Sequence, residues 1–138
     1  MPSPLITRSV MFEPLLAADP SFRPRWNEFI AEWEEEGDFP LYLALHSLAE
    51  HILERHKDGD TVRFSDIFAV VECWHTEGDD YVKEAATIGF LESLQNLSGG
   101  NDRQIATIEP WLGLETRRWW DKLDRFWDGD VVALRDDG

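Results

Sequence analysis

The 138-residue chain fits a single domain, and its seven Trp and eight Phe supply an aromatic core of a kind disordered chains lack. Its 28 Asp and Glu against 13 Lys and Arg give a formal net charge of −15, which disfavours nucleic-acid and anionic-membrane partners and favours encounter with a basic protein. A lone Cys73 cannot close an internal disulfide, residues 1–10 lack the apolar stretch of a signal peptide, and no run nears the roughly 18 apolar residues of a membrane span, so the cytoplasm is the expected compartment.

In chain order, a short helix is expected over about Ser9 to Ala18, bent or begun at Pro14. Phe22, Trp26, Phe29, Ile30 and Trp33 then follow helical spacing, with Ser21 as the candidate N-cap. That helix runs into Glu34, Glu35, Glu36, Gly37 and Asp38, with Pro40 just beyond. Carboxylates at a helix C-terminus oppose its macrodipole and repel one another, so local stability does not explain them. Leu41, Leu45, Leu48, Ala49, Ile52 and Leu53 form the cleanest apolar stripe, closed by Asp58-Gly59-Asp60.

A third helix is expected after Ser65 as its cap, burying Ile67, Val70, Val71 and Trp74; Thr61 to Phe64 reads as a short extended piece. Gly78-Asp79-Asp80 breaks the chain before a fourth helix from about Tyr81 to Leu97. This one is apolar on two sides, with Val82, Ala85, Ala86, Gly89, Phe90 and Leu94 on one and Ile88 and Leu91 on the other, which marks a central helix. Gly89 costs about 1 kcal/mol in a helix interior relative to Ala, so a close helix contact is expected there. Ser98-Gly99-Gly100-Asn101 is the strongest loop signal. A turn at Glu109-Pro110-Trp111 and a last helix with Trp119, Trp120, Leu123, Phe126 and Trp127 on one stripe follow, ended by Gly129. The predicted fold is all-α: one helical domain over 1–138, fraying at about 1–8 and 131–138. Its architecture is an irregular bundle or a short stack of antiparallel helical hairpins, with about five to six helices.

Chemistry is sparse. His46, His51 and His56 recur every five residues, a rotation of about 140° per step, so they cannot share a helix face or a metal. Glu72, His75, Glu77 and Asp79 lie close in sequence but match no ligand spacing, and read as surface carboxylates with a histidine. Cys73 and His75, two apart on a helix, point to different sides, so no nucleophile–base pair forms and Cys73 reads as a buried hydrophobe. Phosphate loop, dinucleotide fingerprint and nucleophile elbow are all lacking. The tryptophans fall on helical stripes and read as core, with one of the adjacent Trp119 and Trp120 turned outward.

Glu72-Cys73-Trp74-His75, Gly78-Asp79, and Glu84 through Asn96 resemble a family of small, acidic, helical bacterial proteins. Trp111-Leu112-Gly113, Arg118 through Leu123, and Phe126-Trp127 are similar to that family's C-terminal portion, so the likeness covers about residues 64 to 130. Proteins that look like it are met among candidate immunity proteins of bacterial toxin systems, and it carries over no catalytic residue. The resemblance and the charge together imply a non-enzymatic immunity protein, without cofactor or metal, that neutralises a basic toxin or nuclease domain by direct binding. The expected contact residues are Glu34, Glu35, Glu36 and Asp38, then Asp79 and Asp80. The alternatives are a general helical adaptor and a hydrolase with a carboxylate site around Glu72, His75 and Asp79.

Overall fold

A computed structural model describes residues 5–33, 41–98 and 106–127, and all regular structure in them is helical. Helix α1 spans Phe12–Ala18, already under way before Pro14, and α2 spans Arg23–Trp33 after a tight 3-10 turn at Pro20–Phe22. Asp19, not Ser21, is the cap here: its carboxylate accepts the Ser21 N–H at 3.1 Å, and Pro20 follows where no N–H is needed. Helix α3 spans Leu41–Lys57 and α4 spans Phe64–Glu77. The expected extended piece at 61–64 is instead a turn leading into α4. Ser65 lies exposed inside the first turn of α4 and caps nothing. The fully buried Phe64, its ring edge-on to Phe68 and Trp111, brings the helix start forward.

The next three elements run on without a break: α5 (Asp80–Glu84), a π-helical segment (Ala85–Leu91) and α6 (Glu92–Leu97). A π segment bonds i to i+5 and so widens the turn. Here it buries Ala85, Ala86, Thr87, Gly89, Phe90 and Leu91, and it touches α3, α4 and the last helix, α7 (Leu114–Trp127). The apolar residues on two sides are thereby accounted for: the segment is central and its turn is wide. A Cβ on Gly89 would stand 2.8 Å from Leu45 Cδ1 and 3.6 Å from Tyr42 Cγ, which is the expected close approach. Gly89 faces Tyr42 and Leu45, and Ser93 bonds His46, so α3 and the α5–α6 run advance in the same direction. Because α3 packs chiefly on the π segment and α6, and not on its chain neighbour α4, the molecule is an irregular bundle and not a stack of hairpins.

Of the predicted stripe, Leu41, Leu45, Leu48, Ala49 and Ile52 are buried, while Leu53 is only half-buried at its edge. Trp74 and Trp120 are fully enclosed, whereas Trp119 is partly so. The Trp74 indole N–H donates to the Met11 carbonyl at 2.9 Å, and its ring meets Phe12 and Phe90, which ties α1 to the centre. Within the stretch 1–8 expected to fray, Ile6 is bonded on both sides of the α4–α5 turn: its N–H to the Glu77 carbonyl and its carbonyl to the Asp79 N–H, each at 2.9 Å. The Gly99–Asn101 loop, Gly129 and residues 131–138 lie outside the described residues, as do the side chains of Phe126 and Trp127.

Gly78 is required in that turn for space, since its φ of −73° suits any residue. A Cβ there would collide with the Trp74 carbonyl oxygen and lie 2.6 Å from Val82 Cγ1. Gly78→Ala should therefore lower the urea-unfolding free energy by about 1–3 kcal/mol, because the obstructing atom belongs to backbone that cannot step aside.

Candidate partner-binding surface

Two clusters of polar side chains lie inside the bundle. In the first, Glu72 on α4 reaches the N-terminus of α7, where its carboxylate accepts the backbone N–H groups of Glu115 and Thr116 at 3.0 and 2.8 Å and the Thr116 hydroxyl at 2.8 Å. A helix leaves its first N–H groups without partners, and a residue just before it normally supplies the cap. Gly113 occupies that place without a side chain; a Cβ there would meet the Glu72 carboxylate at 2.5 Å. Burial pushes the Glu72 carboxyl upward, but the backbone and hydroxyl hydrogen bonds outweigh it and hold the group below its ordinary value.

His75, one turn along α4 from Glu72, extends this cluster. Its Nδ1 lies 3.0 Å from the Val71 carbonyl and 3.2 Å from Thr116 Oγ1, and its Nε2 lies 3.1 Å from Thr87 Oγ1 on the π segment. With Nδ1–H donating to Val71, the neutral ring leaves Nε2 as an acceptor toward the Thr87 hydroxyl, whose one proton is shared with the Lys83 carbonyl at 3.2 Å. Burial pulls the His75 pKa down, against weaker opposing effects from the Val71 carbonyl and the Glu72 and Glu115 charges.

The second cluster joins Asp19, Ser21 and His51. Burial raises the Asp19 carboxyl, yet hydrogen bonds from His51 and Ser21 and the His51 charge together leave it below its ordinary value. These are the residue types of a nucleophilic triad in the wrong arrangement. One nitrogen, His51 Nε2, stands 3.1 Å from both Asp19 Oδ2 and Ser21 Oγ, and the Ser21 hydroxyl donates straight to Asp19 Oδ1 at 2.5 Å. Nucleophile activation needs the imidazole between the two groups, using both nitrogens. The cluster instead fastens the turn before α2 to α3. The cleft beside it, lined in part by Arg55, Asp60 and Arg63, has room for about one water molecule.

The three histidines of α3 are dispersed as their spacing demands: His46 bonds Ser93, His51 bonds Asp19, and His56 bonds Thr107 at 2.7 Å. No three His, Cys, Asp or Glu among the described residues are grouped to hold a metal. Glu72 and His75 share the first cluster, while Asp79 is drawn away from them: its carboxylate caps α5 by accepting the Val82 N–H at 2.9 Å. Cys73 is half-buried, and burial with the neighbouring Glu77 and Glu72 charges pushes its thiol up, away from the reactive thiolate.

Of the expected contact residues, Glu34, Glu35, Glu36 and Asp38 lie outside the described residues. Asp79 is half-buried in its capping role, so only Asp80 of that pair presents a free outer face. Tyr42 and Tyr81 fall outside the expected contact residues, yet their rings meet at 6.2 Å where α3 and α5 come together. Tyr42 follows the first acidic run in the chain and Tyr81 directly follows the second, and that adjacency was the available signal. No described helix is long and apolar enough to cross a membrane.

Residues 12–128 match the model of a domain of unknown function, DUF7674, and the chain belongs to that family. No curated protein and no solved structure matches it.

Two outcomes follow from these clusters. Glu72→Ala and Gly113→Ala should each destabilise the protein, Glu72→Ala by about 1–3 kcal/mol through orphaned N–H groups, as read by urea unfolding. In the double variant the Gly113 change should cost little more, because the carboxylate it strikes is gone. Acidification should also destabilise in steps. His75 has a folded pKa below its usual 6.5, so the unfolded chain takes the proton first and stability declines as pH falls from about 6.5; Glu72 and Asp19, also lowered, add further loss below about 4.5 and 3.8. Stability measured against pH in His75→Gln should lack the upper step and keep the lower ones.

Proposed function

We propose that this chain is a non-enzymatic protein-binding protein of the immunity type, which neutralises a basic effector by covering its functional surface. The reading is supported above all by where the acidic excess lies. Glu13, Glu50, Glu77, Asp80, Glu84 and Asp121 all point outward, whereas the carboxylates drawn inward, Asp19 and Glu72, are taken up by bonds within the chain. A surface with a strong excess of one sign accelerates encounter with the opposite sign, and a nuclease's phosphate-binding cleft is basic. The resemblance to candidate immunity proteins points the same way.

Tagged protein purified from its native cell and eluted with graded salt should retain one stoichiometric, basic partner that is toxic when expressed alone. Reversing Glu34, Glu35, Glu36, Asp38 and Asp80 to Lys should weaken that complex by at least about tenfold and flatten its salt dependence. Asp79 is left intact in this test, since its loss would uncap α5. Unchanged affinity and salt dependence would remove the acidic surface from the mechanism, and several weak partners in place of one would favour an adaptor.

A further inference from the structure

The Tyr42–Tyr81 junction adds something that net charge does not supply. Tyr42 is 37 % exposed and the adjacent Leu43 51 % exposed, although both stand one or two residues into α3 from the buried Leu41. The Tyr42 ring lies over Gly89, close enough that a Cβ there would come within 3.6 Å of its Cγ, and it leans at 58° on the Tyr81 ring. Asp80, Tyr81 and Glu84 share one face of α5, while Lys83 points about 200° around the helix from Tyr81. Glu84 is exposed on α5 three residues from Tyr81, and burial, then the Glu84 charge and Tyr81, raise the Tyr42 phenol. The junction therefore offers π faces and carboxylates together.

The molecule already fills part of it with a cation. Arg8 holds its guanidinium 4.9 Å above the centre of the Tyr81 ring. It is carried there by Ile6, two residues earlier, through the paired bonds to Glu77 and Asp79. Guanidinium is planar and weakly hydrated, stacks on aromatic faces and bonds carboxylates through two nitrogens, none of which an ammonium does as well.

We propose that the Tyr42–Tyr81–Glu84 face is a docking site for an arginine-bearing segment of a protein partner, and that Arg8 occupies it in the free chain as an internal competitor. The proposal rests on the protein-binding reading and names the surface it uses. Binding exchanges Arg8 for the partner's arginine on the tyrosine pair, so the N-terminal segment sets a threshold that only a multiply basic segment passes.

The probe is a hexa-arginine peptide titrated into the full chain by calorimetry, with hexa-lysine as the comparison at equal charge. Arginine should bind more tightly than lysine by roughly two- to fivefold, and Tyr42→Leu and Glu84→Gln should each erase about that advantage while Tyr42→Phe retains it. Arg8→Ala should strengthen arginine binding by a similar roughly two- to fivefold factor. Thermal unfolding of each variant identifies any that merely fails to fold, and Tyr42→Phe and Arg8→Ala keep the test open if Tyr42→Leu does. Equal affinity for the two peptides, or indifference to Tyr42, Glu84 and Arg8, would overturn the site and leave only diffuse attraction to an acidic surface. If the native complex co-purifies as expected but survives Tyr42→Leu and Glu84→Gln unchanged, this site fails while the protein-binding reading stands; if no partner co-purifies at all, that reading fails first.

Discussion

The beginning of a helix exposes N–H groups that need acceptors, and in α7 that need is met from another helix. Glu72 of α4 supplies the cap that Gly113 lacks, and the two residues explain one another: the carboxylate needs the space, and the helix needs the carboxylate. The arrangement then extends inward. Thr116 gives its proton to Glu72 and faces His75, and His75 reaches Thr87 in the π segment, so α4, the π segment and α7 are joined by one connected set of polar groups. Buried polar groups are tolerated only when partnered, and no buried side-chain nitrogen or oxygen among the described residues lacks a partner. Sliding any of the three elements by a turn would strand several of these groups at once. Apolar packing alone is far less demanding about register.

The long-range half of this arrangement was invisible in the sequence. Glu72 and His75 were noted as neighbours with nothing to hold, because their partner Thr116 lies more than forty residues downstream and a threonine announces no role. Local patterns fared better. The α3 stripe is buried where its spacing places it, and the lone helical glycine at 89 marks a close contact, because both depend only on the geometry of one helix and its nearest neighbour. The π segment was half legible: residues on two sides signalled a central helix, but a 3.6-residue period cannot register a wider turn.

Caps were where local reading went astray. Ser21, Ser65 and Asp79 each sit near a helix start, and of these only Asp79 caps one, although it had been assigned to the surface. At α4 the burial of Phe64 overrides the serine's preference, and in the 3-10 turn before α2 Asp19 takes the role one residue before Pro20. Asp79 shows the opposite error. An aspartate followed by an acidic first turn is a start signal, and counting it as outward charge overlooked what its carboxylate had to do for Val82.

Charge and contact make different demands on a binding protein. A net charge of −15 raises the rate of encounter with a cationic partner, but surface pairs are screened by salt and contribute little to how long a complex lasts. Residence depends on a small number of desolvated anchors, in which Tyr, Trp and Arg are over-represented. Among the described tryptophans Trp74 and Trp120 are enclosed, and the half-buried Trp26 stacks 4.4 Å from Phe12. Trp119 lies beneath the cations of Arg118 and Lys122. Tyr42 and Tyr81 remain as an aromatic pair at the surface, beside carboxylates and already engaged with an arginine. On the proposed protein-binding reading, specificity would come from that pair, because diffuse attraction alone cannot distinguish one basic partner from another.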